Sequence, residues 1–393
     1  MITRLVHDVA SRMVYPFLPE IATGLGLPIE QAGALISLRY GIGILGPVFG
    51  ALFDRIGHRR GTTVGLIVLG FGMLVTGAAS SLPLAAIGFI LSGIGSVIFI
   101  PTLIAYVSDR VPYARRGRIT GAIETTWAIA GMIGVPLIGV IIAAQGWRAP
   151  FFILGFAALF GAGLTLFLEE SRAMMRASIP TFNVQSLSQH KSAIVFIVVW
   201  FLIFFAFENI QVGYSSWLET QYGLNTTERG SAQTFFGLFE IVASAGSTLF
   251  LDRIGKKRGV TGGLIVVMIG YMLLATLGSA GLGWALLSIG VAFLGFEFTV
   301  VSGIPIMGEQ IPEARGTMIA LTFMAGNVGR MAGDLAGSAL TAGVGFRIAA
   351  LISLIAAIVD VVAFAAWVHE ASDEGRPQRG VAQEATGSEQ TAS

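Results

Sequence analysis

Three charged side chains recur at a spacing of four residues near the start of the chain. Arg4, Asp8 and Arg12 therefore share one face of a predicted helix, where Asp8 can pair with either arginine. The surrounding sequence is largely apolar, and a charge inside an apolar membrane segment usually has a function. A carboxylate placed between two guanidinium groups predicts the binding of a proton or of a charged ligand.

Eight more charged residues lie within long apolar stretches: Arg39, Glu124, Glu208, Glu240, Glu297, Arg330, Asp334 and Asp360. Glu208 and Glu297 have apolar neighbours, which favour the neutral form of a carboxylate, as a proton carrier requires. Arg330 and Asp334 are expected either to pair with each other or to face a cavity. In all, seven acids stand against four arginines in these stretches, which favours protons and cationic or amphipathic ligands. The arginines would instead suit an organic anion.

The sequence contains no motif typical of an enzyme or of a cofactor site. It has no cysteine, and its four histidines form no HExxH motif, so no metal site is expected. It has no P-loop, so ATP is not expected to drive it directly. A net charge of +1 gives no reason to expect a nucleic-acid partner. We therefore expect a monomeric protein without a cofactor, whose partners are a small molecule, protons and the lipid bilayer.

The elements that position these residues are predicted to be membrane-spanning helices. Of the 393 residues, 54% are hydrophobic and only 12% are charged, which excludes a soluble fold of this size. A spanning helix needs about 20 apolar residues. The first span lacks a small-residue cleavage site and is not expected to be a removable signal peptide. Twelve spans are predicted, near residues 1–22, 31–53, 61–80, 83–107, 118–142, 147–168, 192–218, 230–251, 259–279, 283–307, 316–341 and 346–368.

Basic residues are concentrated in alternate loops. Seventeen of the 24 lysines and arginines lie in loops on one side, and three lie in loops on the other. Because basic loops stay in the cytoplasm, both termini are predicted to be cytoplasmic. The chain is then a multi-pass protein of the inner, or plasma, membrane. Its last 25 residues are polar and are predicted to be a disordered tail.

The chain contains an internal repeat. Asp54-Arg55-Ile56-Gly57 in one basic loop returns 198 residues later as Asp252-Arg253-Ile254-Gly255, and Gly146-Trp147-Arg148 returns as Gly345-Phe346-Arg347. Parallel repeats of this kind place a substrate site between two halves, near the middle of the membrane. The predicted units are a six-helix bundle, a cytoplasmic linker, a second six-helix bundle and the tail, at residues 1–168, 169–191, 192–368 and 369–393.

The segment Gly50–Arg60 is similar to the loop signature of the major facilitator superfamily, which the chain resembles over essentially its whole length. The resemblance implies an all-α membrane fold of twelve helices in two pseudo-symmetric six-helix bundles. It also implies a conformational latch, in which Asp54 faces the start of the eleventh helix. Gly50 is expected to let the second helix approach a neighbour closely. The latch residues are Gly50, Asp54, Arg55, Gly57, Arg59, Arg60, Asp252, Arg253, Gly255 and Arg258.

The fifth span resembles the antiporter signature of the same family. Gly131, Pro136 and Gly139 match the signature, and Val135 stands where a glycine is usual. Pro136 is expected to bend the helix, because proline removes a backbone hydrogen bond. The arginine that such antiporters carry in the fourth span is replaced by Phe89, so its role cannot be transferred. The resemblance favours the bacterial drug/proton antiporter branch of the family.

The resemblance further implies that the first, fourth, seventh and tenth helices line the cavity. Asp8, Glu208 and Glu297 are therefore the proton-coupling candidates. The expected function is secondary active transport by alternating access, with proton-coupled efflux of small organic or drug-like molecules. The alternative is a proton-coupled uptake symporter for an organic anion or another small metabolite. The substrate-cavity candidates are Arg12, Arg39, Asn209, Gln211, Asn327, Arg330 and Asp334.

Overall fold

The part of the chain that the computed structural model describes comprises residues 1–111, 123, 125–169, 190–311 and 314–369. Four side chains within these ranges are not described, namely those of Ala51, Asp54, Ser108 and Asp252. Glu124, nearly all of the predicted linker and nearly all of the predicted tail lie outside the described residues. In the described ranges the chain is α-helical and has no strand, which confirms the all-α prediction.

The described helices form twelve spans, in agreement with the predicted number. Spans 1 to 6 comprise Ile2–Arg12 with Leu18–Leu25, Ile29–Gly41 with Gly46–Ile56, His58–Gly77, Leu82–Arg110, Thr125–Gln145 and Ala149–Thr165. Spans 7 to 12 comprise Lys191–Gln211 with Tyr214–Tyr222, Thr226–Ile254, Lys256–Leu277, Leu282–Met307, Arg315–Gly343 and Phe346–Trp367. Among the described residues, nine stretches are long and apolar enough to cross a membrane by these properties alone.

Spans 1 and 7, which occupy equivalent places in the two halves, are each interrupted by a short turn. The turn in span 1 follows Arg12 and contains Pro16, which has no N–H with which to continue the helix. The turn in span 7 is formed by Val212 and Gly213. The sequence analysis missed both turns, because the apolar pattern continues through them.

Span 5 contains a π-helical turn, Ala130–Gly134, directly before Pro136. Pro136 has no N–H to donate to the carbonyl of Met132, four residues earlier. That carbonyl accepts a hydrogen bond of 2.8 Å from Thr234 Oγ1 of span 8. The irregular turn thus lies where the sequence predicts a bend, and a backbone group beside it joins the two halves of the molecule.

Glycines allow two pairs of spans to pack backbone against backbone, and the same pattern occurs in both halves. A Cβ added to Gly95 of span 4 would lie 2.3 Å from the amide nitrogen of Leu69 in span 3. A Cβ added to Gly295 of span 10 would lie 2.4 Å from the amide nitrogen of Val267 in span 9. Such close approach through small residues is typical of helix packing in membranes.

Replacing Gly270 of span 9 with alanine is expected to lower the free energy of unfolding by about 1–3 kcal/mol, the usual cost of overpacking. Its Cβ would lie 2.6 Å from the amide nitrogen of Ala292, and backbone cannot move aside as a side chain can. The measurement is denaturant unfolding of the purified protein in detergent. Gly262→Ala in the same helix is the matched control, because a Cβ there meets no described atom within 4 Å. Equal stability of the two variants would contradict the prediction.

The two halves meet along two seams, one between spans 2 and 11 and one between spans 5 and 8. On the side away from the basic loops, a Cβ on Gly33 would lie 2.4 Å from Ser338 of span 11. Midway along, a Cβ on Gly43 would lie 2.5 Å from Asn327. Nearer the basic loops, a Cβ on Gly50 would meet no described atom within 4 Å. Close packing at Gly50 is therefore not seen among the described residues in this conformation, because spans 2 and 11 diverge toward the basic loops.

Candidate functional site

Asp8 is a fully buried acceptor that ties span 1 to span 5. Its carboxylate lies 3.0 Å from Arg4 Nε and 3.0 Å from His7 Nδ1, and Thr126 Oγ1 donates to it at 2.7 Å. Of the two arginines that the sequence offered as partners, Asp8 therefore pairs with Arg4 and not with Arg12. With three neighbours of its own, this predicted proton-coupling residue lies inside the first half.

Arg39 is also enclosed within the first half. Its guanidinium donates to Ser11 Oγ at 2.6 Å, to the carbonyl of Ala10 at 3.3 Å and to Ser96 Oγ at 3.3 Å. These bonds join spans 1, 2 and 4. Arg39 was predicted to line the substrate cavity, but in this conformation its contacts hold the bundle together.

Arg12 reaches across to the second half through the seam between spans 5 and 8. Its side chain is 3% exposed, and Nη2 lies 2.9 Å from Glu240 Oε2 and 3.5 Å from Gln233 Oε1. The guanidinium lies over the ring of Trp127, 4.7 Å from the ring centroid. It also occupies the space that a Cβ on Gly131 would fill, 2.9 Å from Cζ. Nε and Nη1 of Arg12 have no hydrogen-bond partner in the described part of the chain.

Arg330 lies at the other seam and pairs with Glu208 of span 7. Its guanidinium lies 4.4 Å from the ring centroid of Phe204 and 5.1 Å from that of Tyr40, which belongs to the first half. A pair between Arg330 and Asp334 was one of the two predicted alternatives, and it is not formed. Asp334 is fully buried beside Tyr15 of the first half, and neither of its carboxylate oxygens forms a hydrogen bond of regular geometry within the described ranges.

The two seams are linked through Glu208. Its carboxylate interacts electrostatically with Arg330 and, more weakly, with Arg12. Asp334 interacts with Glu208, Arg330 and Arg39, and Tyr15 of span 1 lies beside both Asp334 and Glu208. Arg12 with Glu240 on one seam, and Arg330 with Glu208 and Asp334 on the other, therefore form one row of buried charges between the halves. This row, which we call the interface row, is the candidate functional site.

The other predicted cavity and coupling residues lie around this row or away from it. Asn209 donates to the carbonyl of Ala349 and to Ser353 Oγ, both at 2.8 Å, and so fastens span 7 to span 12 inside the second half. Gln211 is buried near the turn of span 7. Glu297 of span 10 is half-buried.

The sequence analysis named Glu240 among the intramembrane charges but did not rank it as a site residue. The available signal was its position within an apolar stretch, and it was set aside because span 8 was not among the expected cavity helices. Gln233, one polar residue seven positions earlier on the same span, was missed altogether. Both become recognisable only through their contact with Arg12.

The predicted latch is only partly described. Gly57 and Gly255 adopt positive φ angles of 112° and 89°, which glycine tolerates best, at the equivalent turns of the two halves. Arg59 donates to the carbonyls of Leu166 and Leu168 at 3.2 and 2.9 Å, within the first half. The side chains of Asp54 and Asp252, on which the latch depends, lie outside the description. Four of the predicted latch residues are exposed, namely Arg55, Arg60, Arg253 and Arg258.

A second charge cluster joins the halves on the side away from the basic loops. Arg229 of span 8 is buried and forms ion pairs with Glu20 of span 1 and with Glu219 of span 7. Thr226 Oγ1 donates to Glu20 Oε1 at 2.5 Å. The sequence analysis counted Arg229 only as a loop residue. The acidic Glu20 at the end of span 1 was the signal from which this ion pair could have been predicted. We call these residues the outer cluster.

The sequence profile of the Major Facilitator Superfamily matches residues 1–296 and 196–390. The chain is 25% identical over 363 residues to the MFS-type transporter YwfA of Bacillus subtilis (strain 168), covering 90% of this chain and 86% of that protein. It is 22% identical over 260 residues to Multidrug resistance protein 2 of the same organism, covering 63% and 64%. The crystal structure of a D-xylose-proton symporter is similar in fold, with a TM-score of 0.77, 18% identity and coverage of 94% and 96%.

Proposed function

Because this chain belongs to the Major Facilitator Superfamily of transporters, we propose that it is a secondary active transporter that exports small organic or drug-like molecules in exchange for protons. The observation that carries the proposal is the interface row, and above all Asp334. Buried charges between two halves are what a transporter needs at its midplane. The chain's similarity to Multidrug resistance protein 2 supports the direction of transport.

The arrangement of the halves supports alternating access. They are joined by the outer cluster and along both seams, and spans 2 and 11 diverge toward the basic loops. With the predicted orientation, the basic loops face the cytoplasm, so this conformation is closed to the outside and open inward. Rocking one half against the other would then expose the interface row to the outside.

Asp334 supports proton coupling because an ionised carboxylate is energetically costly at this buried position. An ionised carboxylate that is buried without a regular hydrogen bond costs several kcal/mol, so it needs either a bound proton or a cation beside it. Arg330 is already paired with Glu208, so a second ionised acid beside this pair would face a like charge, which disfavours its ionisation. We infer that Asp334 carries the exchanged proton and that a cationic group of the substrate takes its place when the proton leaves.

The direct test is proton movement in everted membrane vesicles that are acidified by respiration and followed with a pH-sensitive dye. Lipophilic cations and neutral drugs are added first, and organic acids are added second under the opposite proton gradient. We expect the proton gradient to be lost when one class of drug is added. This loss should occur only in vesicles that contain the protein. No response to any drug would overturn proton-coupled export.

A second candidate function, proton-coupled uptake of an organic anion, rests on one observation. Arg12 presents two N–H groups without a partner, and a guanidinium is well suited to bind a carboxylate. Under this alternative, the organic acids would move protons in the vesicle assay and the drugs would not. The response would then disappear when Arg12 is replaced by glutamine.

Replacing Arg229 with glutamine is expected to weaken closure of the outer side, because both ion pairs of the outer cluster are lost. Since the chain has no cysteine, Ser215→Cys gives a single reporter at a buried site whose hydroxyl donates to the carbonyl of Pro16 in the other half. Labelling of this cysteine by an impermeant thiol reagent should become about tenfold faster.

The control for this measurement is Arg148→Gln, also on the outer side. Arg148 donates to the carbonyl of Ala79 within the first half, at 2.9 Å, so its loss should leave the labelling rate unchanged. Equal labelling rates in the variant of Arg229 and in this control would contradict the role of the outer cluster.

A further inference from the structure

We propose that Gly131 is a positioning residue, whose missing side chain leaves a slot in span 5 through which Arg12 of span 1 reaches Glu240 of span 8. The proposal deepens the function inferred above and rests on it, because it names what holds one end of the interface row in place. It also gives this glycine of the antiporter-like segment a task other than bending the helix.

The wall of the slot is formed by two residues of span 5 that contact the same side chain. The guanidinium of Arg12 lies over the ring of Trp127, 4.7 Å from the ring centroid. Further along the span, a Cβ added to Gly131 would lie 2.9 Å from both Cζ and Nη2 of Arg12 and 3.1 Å from its Nε. The planar guanidinium therefore rests on an aromatic ring and on bare backbone, and a side chain at position 131 would occupy the same space.

The slot directs Arg12 toward span 8. Nη2, one of the nitrogens that lie against Gly131, donates to Glu240 Oε1 at 3.1 Å and lies 3.5 Å from Gln233 Oε1. Gln233 in turn donates to the hydroxyl of Tyr214. Arg12 ends the first helix of span 1, and Tyr214 begins the second helix of span 7. The bridge therefore connects the interruptions of the two broken spans across the seam.

The bend of span 5 has a cause of its own and does not require Gly131. Pro136 disrupts the helix locally, and the carbonyl of Met132 that it leaves free accepts a hydrogen bond from Thr234. Gly131 does not have a positive φ angle, so alanine fits its backbone conformation. The atoms that an alanine would meet belong to the far end of a flexible side chain. This substitution should therefore move the guanidinium of Arg12 rather than the helix.

Gly134→Ala is the matched control for Gly131→Ala, because Gly134 lies in the same π-helical turn and also faces span 1. The nearest atoms that a Cβ on Gly134 would meet belong to Val9, with Cγ2 at 2.4 Å. Both variants add one carbon between spans 1 and 5, and both remove a glycine from the irregular turn. Only Gly131→Ala should disturb the bridge to Glu240. If the glycines serve flexibility instead, the two variants should behave alike.

The position of the guanidinium can be followed without transport, through fluorine NMR of the full-length protein labelled with 5-fluorotryptophan in lipid nanodiscs. The chain has six tryptophans, and the signal of Trp127 is identified by its loss in Trp127→Phe. Arg12→Gln removes the cation above this ring and gives the reference shift. Gly131→Ala should move the signal in the same direction, and Gly134→Ala should leave it unchanged. An unmoved signal in Gly131→Ala, or equal shifts in both glycine variants, would overturn the proposal.

A double-mutant cycle tests whether the slot acts through Glu240. Gly131→Ala should lower the equilibrium constant of folding, measured in detergent, about tenfold, which corresponds to the loss of a hydrogen bond to a charged group. In the background of Glu240→Gln, the same substitution should have less than about a twofold effect, because the guanidinium is then free to move aside. Gly134→Ala should have the same effect in both backgrounds. An undiminished effect of Gly131→Ala in the Glu240→Gln background would show that overpacking alone is responsible and would overturn the proposal.

Failure of this inference is distinguishable from failure of the proposed function. In everted vesicles, Gly131→Ala should reduce substrate-driven proton movement about tenfold, in line with its effect on the bridge. If wild-type vesicles show no proton movement, proton-coupled export is wrong, and the NMR signal and the cycle still decide the role of Gly131. If the wild type moves protons and Gly131→Ala matches it in all three measurements, this inference is overturned and proton-coupled export stands. A variant that loses the bridge but transports normally would overturn the link between the bridge and transport.

Discussion

Replacing Asp334 with asparagine is expected to reduce substrate-driven proton movement to the background of vesicles without the protein. Asparagine has nearly the same shape as aspartate but cannot bind or release a proton at neutral pH. Asp334 is fully buried and forms no hydrogen bond of regular geometry in the described ranges, so an uncharged amide should be well tolerated there. The measurement is the pH-sensitive dye signal in everted vesicles, with protein amounts matched between wild type and variant.

The matched control for this prediction is Asp360→Asn. Asp360 of span 12 is also buried without a partner among the described residues, but it does not belong to the interface row. A buried acid is thus removed in both variants, and only one of them faces the other half of the molecule. Coupling should survive in the control. Coupling that is lost in both variants, or retained in both, would show that Asp334 has no special part in proton exchange.

Replacing Arg330 with glutamine should lower the free energy of unfolding by about 3–5 kcal/mol, because it leaves the buried Glu208 without its ion-pair partner. The loss should be larger than for an exposed arginine. Thermal unfolding of the purified protein in detergent, followed by intrinsic fluorescence, gives the comparison. Arg110→Gln is the control, because the pair between Arg110 and Glu169 is exposed and such pairs contribute little.

A compensating variant separates the ion pair from other effects of Arg330. Adding Glu208→Gln to Arg330→Gln removes the uncompensated charge and should restore much of the lost stability. If the double variant is no more stable than Arg330→Gln, the loss arises from packing against Phe204 and Tyr40 and not from the buried carboxylate. Transport should remain impaired in the double variant, because the charge of Arg330 beside Asp334 is still absent.

The spans were predictable because the membrane imposes length and apolar composition on each of them separately. Their interruptions were not, because a turn after Arg12 or at Gly213 leaves the hydropathy unchanged. Pro16 carried a local signal for the first turn, which the apolar pattern concealed. The bend before Pro136 was predicted, since proline acts on its own helix and needs no tertiary context.

The site was predictable as a set of residues but not as a set of pairs. Buried charges can be recognised one at a time, so Arg12, Glu208, Arg330 and Asp334 were all named as candidates. Their partners depend on which helices become neighbours. Arg12 joins a residue 228 positions away, and Arg330 joins one 122 positions away instead of the acid one turn along its own helix. No periodicity within a span encodes such choices.

The glycine contacts inside each half have a mechanical consequence. Where backbone touches backbone, as at Gly95 and Gly295, no side chain is available to rearrange, so each half is stiff. The seams are different, because Ser338 and Asn327 meet the opposite half with side chains, which can adopt another rotamer without a shift of the backbone. The softest deformation of the molecule should therefore be one collective rotation of half against half, with little bending inside either one.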